Sequence, residues 1–186
     1  MISDDDLQKM VIGELKPHNA PIELVEYDPQ WPALFAREEA RIRAALGDRA
    51  LRVEHIGSTS VPGLPAKPLI DIILAVRDSA DEPSYVPDLE AAGYVLRVRE
   101  PGWYERRLFK GPEYNTNVHA YGVDGGAEEI SRMVMFRDWL RTHDDERELY
   151  ERTKRELAQR VWRHVQHYSI AKMEVVNEIL ARASAG

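Results

Sequence analysis

The residues best placed to do chemistry lie in VEHIGSTSVPGLPAKPLIDIILAV, residues 53–76. Gly57-Ser58-Thr59-Ser60 joins a residue without a side chain to three small hydroxyl donors, so backbone amides and hydroxyls can approach an anion such as phosphate. Twelve residues separate Ser58 from Asp71, the one carboxylate in the apolar run LIDIILAV. A carboxylate in a buried strand must be neutralised, hydrogen-bonded or bound to a cation. Lys67 stands at the mouth of the same strand, delivered there by a connection punctuated with Pro62, Gly63, Pro65 and Pro68. Two arrangements fit. Asp71 can hold a divalent metal while Gly57, Ser58, Thr59 and Lys67 hold phosphate oxygens, or Asp71 and Lys67 can form a buried structural ion pair. The Gly-Ser spacing matches neither a P-loop nor the GxGxxG dinucleotide pattern.

Further polar residues are candidates by position. His55 sits beside the glycine turn. In WYERRLFKG, strand alternation puts Arg107 on a face with Trp103, Glu105 and Phe109, so Arg107 is expected to reach phosphate and Arg106 to be a solvated edge charge. In TNVHAYG, Asn117, His119 and Tyr121 share a face, a polar trio if that face lines the cleft. Arg132, Arg137 and Lys154 read as surface helix charges. His164 and His167 stand at helical i, i+3 spacing without an evident third metal ligand.

These side chains need elements to hold them. Residues 1–21 read as a loosely attached arm with a short helix over 4–12, and residues 22–186 as one domain. The alternation of IELVEY predicts a strand at 22–27, and Asp28-Pro29 a helix entry. Trp31, Leu34, Phe35, Ile42, Ala45 and Leu46 then repeat at helical spacing up to Gly47, as core anchors. Strands are predicted at about 51–56, 69–76, 94–99, 103–109 and 116–122, with a short helix at about 84–92. From Gly126 the periodicity is helical, giving one helix to about residue 143 and two more at about 145–163 and 168–183. A helix, a mixed sheet and a run of three helices read as α+β.

Composition closes off other classes. The 186 residues contain no cysteine, so disulfides, thiolate metal sites and cysteine nucleophiles are excluded. No apolar run approaches the ~18 residues of a membrane span, and MISDDDLQKM is too acidic for a signal peptide, so no membrane partner and a cytoplasmic location are expected. A net charge of −7 argues against extended nucleic-acid binding and leaves room for a local basic pocket.

The segment HIGSTSVPGLPAKPLIDI resembles the signature of the GrpB family (UPF0157), YDPQWPALFAREEARIRAALG resembles the family's opening segment, and FRDWL with the later Tyr150 and Lys154 resembles its C-terminal helices. The resemblance covers about residues 22–183 and implies the fold of the polymerase-β-like nucleotidyltransferases. It thereby implies a nucleoside triphosphate as partner, Mg²⁺ or Mn²⁺ held by Asp71, and roles for Lys67 and His119 in neutralising charge during nucleotidyl or phosphoryl transfer to a small acceptor. That superfamily's pattern places a second carboxylate two residues after the first, where this chain has Ile73. The departure favours a second reading, a non-catalytic module that binds a nucleotide or another anionic small molecule. A third is a structural or partner-binding role for the helical C-terminal half.

Overall fold

The computed structural model describes residues 3–185. Five strands form one sheet: β1 (Arg52–Ile56), β2 (Ile70–Val76), β3 (Val95–Glu100), β4 (Arg106–Lys110) and β5 (Thr116–Gly122). Their order is β1-β2-β5-β4-β3, with β2 and β5 parallel and every other pair antiparallel. β2 lies inside the sheet with apolar residues on both faces, as its unbroken hydrophobic run requires.

Among the described residues seven α-helices accompany the sheet: α1 (Asp4–Met10), α2 (Trp31–Leu46), α3 (Val86–Ala91), α4 (Ala127–Thr142), α5 (Asp144–Ala158), α6 (Val165–Ala171) and α7 (Met173–Ala183). α2 and α3 cover one face, burying Trp31, Ile42 and Leu89 against Ile72, Leu74, Phe109 and Val118. On the other face α4 lays Ile130 against Ile56, Ile73 and Tyr121. Val61 and Leu64 of the proline-rich β1–β2 connection pack into a second cluster with Leu140, Tyr150 and Ile179. The connection is thereby clamped between the sheet and the C-terminal helices. No helix among the described residues is long and apolar enough to cross a membrane.

The architecture is the α+β arrangement expected, with four local differences. Residues 22–27 form no strand: Ile22 N–H donates to the Ala158 carbonyl, and only Val25 pairs, with Ala66. The segment's hydrogen bonds go alternately to a helix end and to the proline-rich connection, so it is a strap. β4 starts at Arg106, because Tyr104 and Glu105 adopt φ +52° and +51° and belong to the turn. The second C-terminal helix stops at Ala158, where Trp162 N–H turns back to the Ala20 carbonyl, and the last breaks at Lys172 into α6 and α7. The arm is anchored as well. Leu7 is buried, Val11 bridges Val98, Ile12 N–H donates to Arg97 O at 2.8 Å, and Ala20 bridges Trp162. The arm crosses from the free edge of β3 to the α5–α6 corner.

Candidate functional site

The antiparallel β1–β2 register sets Ile56 opposite Asp71, so the turn that leaves β1 meets the head of β2. Gly57 has φ +70°, and a Cβ built on it would lie 2.9 Å from Asp71 Oδ2. Only glycine permits both the left-handed backbone and this approach to the carboxylate. The chain continues into a single 3₁₀ turn, Ser58–Ser60. Thr59 is consumed within it: its hydroxyl donates to Leu69 O at 3.0 Å and accepts from His55 Nε2 at 3.0 Å. Among the described residues the Ser58 side chain has no hydrogen-bond partner.

The parallel β2–β5 register puts Asn117 beside Asp71 and His119 one step further along the same face. Asp71 Oδ1 accepts from Asn117 Nδ2 at 3.0 Å and His119 Nε2 at 3.1 Å. Arg106 Nη1 donates to His119 Nδ1 at 3.0 Å, and Arg106 Nε donates to Glu100 at 2.6 Å. A guanidinium can only donate, so His119 is held as the tautomer that carries its proton on Nε2 and gives it to Asp71. Burial pushes the Asp71 carboxyl up, but the hydrogen bond from His119, joined by the Lys67 charge and the Asn117 amide, outweighs it, and the net shift is downward. Asp71 is ionised. Its contribution to stability is present above the ordinary value of 3.8 and is lost as pH falls through its lowered folded value.

Facing Asp71 across a cavity of about 300 Å³ are Lys67, Lys154 and Lys172. Lys172 Nζ lies 4.8 Å from the Tyr168 ring centre and 6.0 Å from that of Tyr150, and Lys67 Nζ lies 5.8 Å from Tyr168. Lys154, fully buried, lies 5.0 Å from the Tyr150 ring and donates to the Pro65 carbonyl. Neither Lys67 nor Lys172 has a carboxylate within ion-pair distance among the described residues. Burial, followed by repulsion from Lys172, lowers Lys67 to about 8 and Lys154 to about 6. Both amines hold protons less tightly folded than unfolded, so unfolding takes up protons and stability rises with pH. The window runs from about 6 for Lys154 and about 8 for Lys67 up to the ordinary 10.5. Anion binding has the opposite slope. Sulfate, which does not titrate here, is expected to bind progressively more weakly between pH 7 and 9.5, approaching tenfold per pH unit above the Lys67 value, as read by calorimetry.

The structure brings Gly57, Ser58, Thr59, Lys67, Asp71, Asn117 and His119 to one cavity and leaves three expected residues outside it. Arg107 lies on the opposite sheet face, towards α3, where Nε donates to Glu82 at 2.6 Å and Nη1 to Glu105 at 3.2 Å. It is paired with carboxylates and lies outside the cavity, against the phosphate role expected of it. Arg106, which the sequence presents as an edge charge, takes the place at the cleft. His55 also faces the α2 side, stacked on Phe35 with ring centres 4.9 Å apart and lowered by burial to about 4; it positions Thr59 from behind. Tyr121 shares a face with His119 but is buried under α4. Arg132 pairs with Glu129, and Arg137 with Glu54 and Asp138, so neither reaches the cavity. His164 Nε2 faces Asp4 at 3.2 Å. The pocket residues not expected there are Arg106, Lys172, Tyr168, Tyr150 and Lys154; Tyr150 and Lys154 lie in the segment that resembles the family, and the Tyr150/Lys154 and Tyr168/Lys172 pairings at i, i+4 are a further local signal.

The donor set does not fit a resident Mg²⁺ or Mn²⁺. A hard cation wants several oxygen ligands, and here Asp71 supplies a single carboxylate whose Oδ1 already accepts two hydrogen bonds. Ile73, at the position of the second carboxylate, is fully buried against Tyr121 and Ile130, and Glu54 is held by Arg52 and Arg137. Among the described residues no group of three or more metal-ligating side chains occurs.

A mixed five-stranded sheet with helices on both faces and a lysine-lined cleft at the head of its central strands defines an α+β protein. The chain belongs to the GrpB family, whose model, described as GrpB protein, matches residues 21–182. It is 60% identical over 183 residues to a UPF0157 protein of Halalkalibacterium halodurans, covering 98% of this chain and 93% of that protein. The crystal structure of conserved protein GrpB from Enterococcus faecalis superposes with a TM-score of 0.73 at 31% identity, covering 86% of this chain and 98% of the other. A more distant relative, 35% identical over 190 residues, is named dephospho-CoA kinase, from Mycolicibacterium paratuberculosis; the match covers 88% of this chain and 46% of that protein.

Proposed function

We propose that this protein binds a phosphate-bearing small molecule, with nucleoside triphosphates as the first candidates, between the Gly57 turn and the lysines of the C-terminal helices. One observation carries the reading. Lys67 and Lys172 converge with Lys154 on a small cavity, and neither of the first two has a carboxylate partner among the described residues. Desolvating ammonium groups with no counter-charge at ion-pair distance is costly, and an anionic ligand offsets that cost. The Ser58 hydroxyl adds a donor at the same cavity. The relative named dephospho-CoA kinase supports a link to phosphate-bearing substrates at the level of its name only. This chain spans 46% of that protein and has no P-loop spacing of its own.

The second reading is nucleotidyl or phosphoryl transfer with the metal delivered on the triphosphate, Asp71 meeting it and Lys67 and His119 neutralising developing charge. What favours it is the contact of the Gly57 turn with the Asp71 carboxylate, the side-by-side placement such chemistry needs. Asp71→Asn separates the two. Melting curves with ATP, GTP, CTP, UTP or pyrophosphate are compared in EDTA and with Mg²⁺ or Mn²⁺. Simple anion binding stabilises the protein in EDTA, and Asp71→Asn strengthens it several-fold by removing a like charge. Metal-linked transfer gives a shift only with the metal, which Asp71→Asn abolishes. Absence of a shift under every condition in the parent protein overturns both.

A further inference from the structure

We infer that the ligand of this cleft is bipartite: a phosphate-bearing head in the lysine pocket and an elongated, largely apolar body in the channel beneath the N-terminal arm. The inference rests on the anion-binding reading above and assigns the shape of the molecule bound. The lysine pocket opens into a second cavity of about 830 Å³, and Lys67, Arg106 and His119 line both. The junction therefore carries the cations Lys67 and Arg106 common to both spaces. Away from it Val98 and Leu108 on the sheet, Leu7 and Met10 of the arm and Ile170 on α6 give apolar wall, interrupted by the charged Glu14, Lys16, Glu23 and Arg97. The arm is tied down at both ends by backbone pairing, Val11 with Val98 and Ala20 with Trp162. A cleft covered in part by the arm, with Ile170 exposed, has room for a slender chain. Its volume lies in the range that takes small-molecule ligands. Apolar walls contribute affinity in proportion to the ligand surface they cover, so a head group alone uses only part of the site.

The test uses the whole chain and a series of probes: pyrophosphate, methyl phosphate, octyl phosphate below its micelle concentration, and octanol, each titrated calorimetrically. Octyl phosphate is expected to bind at least tenfold more tightly than methyl phosphate, and octanol not measurably. Ile170→Asp on α6 and Met10→Glu on the arm should each remove most of that gain while pyrophosphate binds as before, which also reports that the variants are folded. Equal affinity for methyl and octyl phosphate, with pyrophosphate bound normally, overturns the bipartite assignment and leaves the anion-binding reading standing. Octanol binding as well as octyl phosphate also overturns it, since the channel then acts without the head. Failure of pyrophosphate and of both phosphates to bind overturns the anion-binding reading itself.

Discussion

Lys67→Met is expected to raise the melting temperature of the ligand-free protein by about 2–4 °C and to abolish its stabilisation by phosphate-bearing anions. Most substitutions at buried positions destabilise, so a rise is a distinctive outcome. Lys67 is lowered to about 8 by burial and by Lys172, so folding works against its charge at neutral pH. Methionine keeps the unbranched stem, carries no charge, and sets a sulfur near the Tyr168 ring that the ammonium faces in the parent protein. A gain of roughly 1 kcal/mol moves the melting point of a chain this size by that amount. The same substitution removes the ammonium shared by the lysine pocket and the channel, so anion affinity should fall more than tenfold. The competing view, a structural Lys67–Asp71 ion pair, makes the opposite forecast: methionine would strand Asp71 and lower the melt. Asp71 takes its short contacts from Asn117 and His119 instead. A lowered melting temperature for ligand-free Lys67→Met would restore the ion pair and sink the anion pocket.

Gly57→Ala should be strongly destabilising and should disable the site. The added Cβ would sit 2.9 Å from Asp71 Oδ2 and 3.2 Å from Asp71 Cβ, on a residue whose φ is +70°. The left-handed backbone costs an alanine about 1–2 kcal/mol, and forcing the turn away from a carboxylate fixed by two hydrogen bonds brings the loss to about 2–4 kcal/mol. For a protein of this size that corresponds to a fall of roughly 5–15 °C in melting temperature, with anion binding lost. Gly63 is the control. Its φ is +78° but nothing lies within 4 Å of its added Cβ, so Gly63→Ala should show only the backbone cost. Equal destabilisation by the two substitutions would show that contact with Asp71 adds nothing.

The parts of the site legible in the sequence are those governed by local rules. The apolar run of β2, its lone Asp71 and the Gly57 turn a short connection away follow from burial, periodicity and backbone sterics within about twenty residues. The placement of Asn117 and His119 on one face of β5 follows from strand alternation alone. Alternation states which residues share a face, but not which layer covers that face. It correctly separates Arg106 and Arg107 onto opposite sides of β4, yet their destinations are the reverse of those expected, because Glu82 and α3 lie over one side and the cleft over the other. His55 departs from expectation for the same reason: the register that brings Ile56 to Asp71 turns His55 towards Phe35. Lys154 reads as an ordinary helix charge, and nothing local singles out Lys172 or Tyr168. Only the packing of α5, α6 and α7 against the β1–β2 connection gathers them around Lys67, far away along the chain. The period of a strand or helix is a property of neighbouring residues. Which face meets which partner is decided by the closing of the layers, where burial of distant apolar surfaces outweighs the preference of any single charge for water.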